Sequence, residues 1–216
     1  MSRSHHGTAT RRGDGYHHGD LRRALIEAGR EILAEKGLDS LSLREVARRA
    51  NVSQAAPYHH FADKAELVGA IVESGFGELT EELRSGALEE GGSSLEHLAG
   101  MGLAYVRFAV SNPGLFRLLF RPELRNGTES GPVAKAMETA GSASYQVFLN
   151  TVREALQKGP VVGSVEDVAL AAWSIVHGLA TLLVDGPVDI GERPPEELAR
   201  VVLLALGNGI TGRGKS

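Results

Sequence analysis

The stretch SLREVARRANVSQAAPYHHF, residues 42–61, decides the fold. Ser42 and Glu45 form an S-x-x-E pattern, in which a hydroxyl and a carboxylate cap a helix start reciprocally. Val46, Ala47 and Ala50 then recur on one helix face. Asn51 tolerates the left-handed backbone that stops a helix, and Ser53 can cap the next one. Two short helices joined by Asn51-Val52-Ser53 make a helix-turn-helix. Pro57 is the discordant residue, because a proline in a helix interior costs about 3 kcal/mol or more. Counted from Ser53 as cap, it is an early helical residue and deletes only the bond to the Ser53 carbonyl. A helix beginning at Pro57 itself, where proline is favoured, leaves Gln54 in the turn. The Ser53 start is preferred, since small Ala56 limits the conflict a proline imposes on its predecessor.

Outward from this stretch, the chain reads as helix after helix. Before it, Leu21, Ala24, Leu25, Ala28, Ile32 and Leu33 recur at helical spacing, with Asp20 as expected N-cap and Gly37 as C′ residue. After it, a helix is expected from Asp63, as N-cap, to Phe76, with Glu66 three residues on. Further helices are expected over 93–112, 113–120, 133–159, 164–186 and 196–209, with 121–132 as a connection and 85–94 as a flexible joint. No strand pattern or internal repeat stands out. The expected fold is all-α with about nine helices: a three-helix head on a helical bundle.

Hydrophobic residues make up 42% of the 216-residue chain and charged residues 23%, enough for an ordinary core. The net charge is −4, but residues 1–65 carry +3 and the remainder −7, a basic head on an acidic body. Residues 1–15 (MSRSHHGTATRRGDG) are polar and basic without an apolar core, so they read as a disordered arm rather than a secretory signal. No run reads as a transmembrane helix. The absence of cysteine excludes a disulfide framework and fits a reducing, cytoplasmic compartment.

A helix-turn-helix sets its second helix in the DNA major groove. Ala55 is small enough for close approach, and Gln54 is an amide suited to adenine. Tyr58 lies four residues after Gln54, and its hydroxyl can reach a phosphate; His59 lies four after Ala55. Ser42, Arg44 and Ser53 can meet the backbone, as can Lys64 at the next helix start. The competing reading makes Ser42 and Ser53 caps only, Tyr58 an ordinary surface residue and His60 a packed one. Pro57 and Phe61 point back to the core with Val52 and Val46. Adjacent histidines diverge on a helix, so no metal site is expected.

Residues 165–185 and 196–206 are apolar over most of their circumference, as helices buried on all sides are. A partner chain is the economical way to cover them, through Val168, Ala172, Ile175, Leu179, Leu183, Leu198, Val202, Leu203 and Leu206. The alternative is that both are central to one core. A pocket is expected among Tyr105, Phe108, Phe116, Met137, Tyr145, Phe148, Trp173 and His177. His177, an imidazole in an apolar helix, needs a partner, either a core hydrogen bond or a ligand. Ser174, His177 and Asp185 offer triad chemistry on paper, but no nucleophile elbow or phosphate loop accompanies them, so no catalytic residue or cofactor is assigned.

Residues 20–67, with LIEAGREILAEKGLDSLSLREVARRANVSQAAPYHHFADKAEL, resemble the DNA-binding head of the TetR (tetracycline-repressor-like) transcriptional regulators. YHHGDL and APYHHFADK resemble a subclass with proline before the tyrosine, and WSIVHGLATLLVDG resembles its Trp…His-Gly (WHG-type) regulatory domain. Asn51 and Pro57 depart from the wider family, which usually has Gly and Leu there. The resemblance implies a DNA-binding domain at 16–65 and an effector-binding and dimerisation domain at 66–216. It implies a homodimeric repressor, released from a palindromic operator in double-stranded DNA by an unknown small molecule. The alternatives are an effector-independent DNA-binding protein and a helical protein-interaction module.

Overall fold

The computed structural model describes residues 18–89, 94–126, 131–157, 163–186 and 193–210. Among these, every regular element is helical. The α-helices are α1 (His18–Lys36), α2 (Leu43–Arg49), α3 (Lys64–Glu89), α4 (Ser94–Ser111) and α5 (Pro113–Leu119). They continue as α6 (Pro122–Asn126), α7 (Pro132–Leu156), α8 (Val165–Asp185) and α9 (Pro195–Ile210). Short 3-10 turns lie at Leu38–Ser40 and Ala56–His59. Residues 1–15 lie outside the described residues, as does 90–93 of the expected joint.

Local chemistry explains the boundaries. Gly37 ends α1 with φ 76°, its N–H bonded 3.0 Å to the Leu33 carbonyl. Asp20 lies inside α1, which begins at His18, so it is not the cap that the sequence suggested. Asn51 takes φ 54°, the one non-glycine among the described residues with positive φ. The Asp63 carboxylate accepts from Glu66 N–H at 2.9 Å, and Glu66 reaches back to Ala62 N–H at 2.7 Å. Residues 122–126, expected as connection, form α6, begun by a proline at its first position. Residues 85–89, expected as joint, continue α3.

Helix α3 runs unbroken through the boundary expected at residue 65. It packs against α1 in the head and along α4 and α7 in the body. Leu25, Ile32, Val46 and Phe61 of the head share one continuous apolar cluster with Met101, Phe116 and Val176 of the body. Helix α5 ties the two ends together. A Cβ at Gly114 would sit 3.2 Å from Ala34 Cα, and Leu115 lies over Gly75 of α3. The missing Cβ at Gly114 lets the α5 backbone approach that of α1, and the one at Gly75 makes room for the Leu115 side chain.

Among the described residues one helix, α8, is long and apolar enough to cross a bilayer by length and composition, with mean hydropathy 1.7 and 28% of its most apolar stretch buried. That corrects the expectation that no segment reaches this level. Helix α8 packs one side on α4, α7 and α9. Val168 and Ala172, expected at a partner interface, are 3% exposed and face the chain's own core. Leu179, Leu183 and Leu203 also pack on that core, and Leu203 covers Gly102 of α4. Leu198 and Val202 are half-buried, and the side chain of Leu206 lies outside the described residues. Ile175 is exposed, with Leu170, Leu182, Val201 and Leu204.

Candidate nucleic-acid interface and ligand cavity

The helix-turn-helix is built as Leu43–Arg49, a turn, and the 3-10 segment Ala56–His59. The preferred α-helical start at Ser53 does not form. Pro57 has no N–H to give to the Ser53 carbonyl, and that carbonyl accepts from Ala56 N–H at 3.0 Å instead. Tyr58 N–H then bonds Ala55 O at 3.1 Å, and His60 N–H bonds Pro57 O at 2.9 Å. These are i to i+3 bonds, and three residues per turn replace 3.6. Tyr58 therefore aligns with Ala55 rather than with Gln54, and Gln54 and Ser53 sit in the turn. The position capping this segment is Ala55, which has no side-chain oxygen to offer. Pro57 and Phe61 are buried with Val46, as the sequence pattern required.

Gln54, Ala55, Tyr58 and His59 are all exposed, Tyr58 at 53%. His60 is half-buried, its ring centroid 6.4 Å from that of Phe61. Arg22 of α1 lies 5.5 Å over the other buried landmark, the Phe61 ring, a cation–π contact no sequence motif announced. Ser42 Oγ accepts from Glu45 N–H at 3.2 Å, leaving the hydroxyl hydrogen free to donate. The reciprocal half of the expected capping box is absent. Glu45 instead binds Arg48 at 2.7 Å and Lys36 at 3.1 Å, and those hydrogen bonds pull its carboxyl down to about 2. Arg49 is likewise committed to Glu35 and Glu31. Arg44 is exposed and pairs with no carboxylate among the described residues. Lys64 is exposed, with Nζ donating to the Leu38 carbonyl at 2.9 Å.

The body holds a pocket of about 650 Å³, partly open to solvent, among α3, α4, α5, α7, α8 and α9. Tyr105, Met137, Tyr145, Phe148 and Trp173 line it; Phe108, Phe116 and His177 do not. Phe108 is plain core. Phe116 stands behind the wall, 5.0 Å from the Phe120 ring and 5.9 Å from the Tyr105 ring. Wall residues the sequence did not single out include Phe76, Leu79 and Leu83 of α3, Met101 of α4, Phe120, and Glu138 of α7. Their signal was present as helical spacing, but that spacing marks any buried face and cannot distinguish core from cavity wall.

His177 supports the wall from behind. Burial raises the Tyr105 phenol above its usual range, with the Trp173 indole as a smaller opposing influence, so the phenol keeps its proton. Burial lowers His177, which favours the neutral imidazole, and its Nδ1 is hydrogen-bonded to the Tyr105 hydroxyl at 2.8 Å. The same ring packs 4.7 Å from Phe120 and 5.7 Å from Trp173. The triad on paper does not converge. Asp185 is held by Arg117 Nε at 2.9 Å, while His177 turns to Tyr105 and Ser174 is exposed.

Comparison with known proteins matches residues 25–71 to "Bacterial regulatory proteins, tetR family". Residues 98–206 match "Tetracyclin repressor-like, C-terminal domain". An uncharacterized HTH-type transcriptional regulator of Haemophilus influenzae is 31% identical over 136 residues, 62% of each chain, so the match spans under two thirds of that relative. A protein of unknown function from Rhodococcus sp. RHA1 is 34% identical, with TM-score 0.80 over 92% of this chain and all of that one, 100%. A TetR/AcrR-family regulator from Thermobifida fusca shares the fold at 21% identity, with TM-score 0.64 over 88% of this chain and 98% of that one. FadR of Bacillus subtilis, solved with stearoyl-CoA, does so at 16% identity, with TM-score 0.68 over 87% and 98%.

Proposed function

The chain belongs to the tetR family of bacterial regulatory proteins, and on that premise we propose that it is a homodimeric, ligand-released repressor of transcription. It acts in the cytoplasm, without catalysis, on a palindromic operator. Residues 16–65 serve as its DNA-binding unit and 66–216 as its effector-binding and dimerisation unit. Trp173, His177 and Gly178 are read as the signature of the Trp…His-Gly subclass. The observation carrying the proposal is the aromatic cavity of about 650 Å³, set against the same α3 helix that begins beside the recognition segment. A ligand-sized apolar void is costly to keep unless something fills it.

The DNA contacts proposed are Ser42, Arg44, Ser53, Gln54, Ala55, Tyr58, His59 and Lys64. Base reading falls to the exposed turn Gln54–Ala55, and phosphate contact to Arg44, Tyr58 and Lys64. The partner surface is Ile175 with Leu170 and Leu182 on α8 and Val201 and Leu204 on α9, all exposed apolar side chains. Between Asp167 and Asp185, α8 carries no carboxylate, lysine or arginine, which suits burial against a second copy. Two recognition segments then meet half-sites one helical turn or a multiple apart. An effector releases DNA only by binding one head spacing better than the other. The stearoyl-CoA in FadR supports the reading that this fold can enclose a long apolar ligand.

The test is binding of the full chain to DNA flanking its own gene, titrated with salt and with small molecules. Phosphate contacts release counterions, so affinity falls steeply with salt. A flat salt response refutes DNA binding. DNA binding that no ligand alters favours an effector-independent regulator.

A further inference from the structure

Charge is distributed unevenly around the cavity. Its wall holds the aromatic rings of Phe76, Tyr105, Phe120, Tyr145, Phe148 and Trp173. Among the described residues that line it there is no lysine or arginine, and the single charged one is Glu138 on α7. Glu138 is exposed on that helix and forms no ion pair or hydrogen bond among the described residues. His177 behind the wall is neutral, so it supplies no positive charge either. A carboxylate or phosphate entering such a space gives up hydration without meeting a cation: it finds ring faces, which are negative, the neutral donors Ser142, Ser144 and Gln146, and a carboxylate. A cation meets the reverse: rings that attract it and an unpaired Glu138.

Resting on the reading of this cavity as the effector site, we infer that the effector is a lipophilic organic cation, its charge placed between the aromatic wall and Glu138, rather than an acid or acyl phosphate. The size of the void suits several fused or linked rings, and the adaptable Met101 and Met137 let the wall conform to them.

Trp173 is the sole tryptophan of the chain and lines the cavity, so its fluorescence reports occupancy directly. The experiment titrates the full chain, in sodium buffer, with tetraphenylphosphonium, with its near-isosteric anion tetraphenylborate, and with neutral N-phenyl-1-naphthylamine. The cation is expected to quench Trp173 at the lowest concentration. Glu138→Gln is expected to weaken it about 3- to 10-fold and leave the neutral probe unchanged. Glu138→Lys is expected to invert the order of the two ions. Because Glu138 is a surface position on its helix, both variants should keep the wild-type circular dichroism melt, which is measured alongside. Neutral-probe binding with the anion equal to or tighter than the cation overturns the charge class and leaves the effector cavity standing. Indifference of the cation to Glu138→Gln does the same. Failure of all three probes to reach Trp173 overturns both readings together.

Discussion

Replacing Tyr105 by Phe removes one oxygen from the cavity wall and tests how the wall is held. Tyr105 is 6% exposed, and its hydroxyl is 2.8 Å from His177 Nδ1. The variant loses one buried hydrogen bond, worth about 0.5–1.5 kcal/mol net, and leaves a half-buried imidazole nitrogen unpaired. The combined cost is about 1–2 kcal/mol. For a chain of this length that lowers Tm by about 2–8 °C, read by circular dichroism at pH 7.5. The imidazole also sets a pH dependence. Burial lowers its folded pKa below 6.5, so the unfolded chain takes up the proton first as pH falls. Stability from this group is full above pH 6.5 and is lost as pH descends toward the lowered folded value. His177→Gln removes that part of the slope, and the difference between wild type and variant isolates it from the other histidines. Equal melting of wild type and Tyr105→Phe at pH 7.5, or equal pH slopes for wild type and His177→Gln, refutes the paired-wall reasoning.

Three other outcomes are expected. Arg44→Ala should weaken binding to specific and random DNA alike and reduce the salt slope by about 1, measured by fluorescence anisotropy; an unchanged slope removes Arg44 from the phosphate contacts. Leu170→Glu combined with Leu204→Glu, both exposed apolar positions, should leave folding intact and halve the mass measured by light scattering, whereas a retained dimer mass places the interface elsewhere. Phe61→Ala, at 2% exposure beneath Pro57 and Arg22, should destabilise the head by about 3–5 kcal/mol and abolish DNA binding at 37 °C; a head that melts normally would show that Phe61 does not anchor it.

The sequence by itself determined the helical class and most element ends. Those depend on contacts within a few residues: Gly37 and Asn51 at positive φ, Asp63 as a cap, Asn112-Pro113 as a stop. Where a side chain had a choice of partners, local reasoning failed. Glu45 satisfies the capping-box spacing, yet two cations from outside that motif outbid the backbone N–H for its carboxylate. Pro57 was legible as a distortion, but not which turn would absorb it; the i to i+3 bonds around it settled a 3-10 segment and moved Gln54 off the face of Tyr58. The cavity was legible in part: Tyr105, Met137, Tyr145, Phe148 and Trp173 line it as expected, but its extent and its α3 wall belonged to the tertiary level. Aromatic periodicity marks a buried face, and only the spacing of six helices decides whether that face closes on itself or on a void. The same holds for the last helices. Apolar residues ring α8, but the packing of α4, α7 and α9 selects Val168 and Ala172 for the core and leaves Leu170 and Ile175 outside, because a helix can turn only one side at a time toward its neighbours.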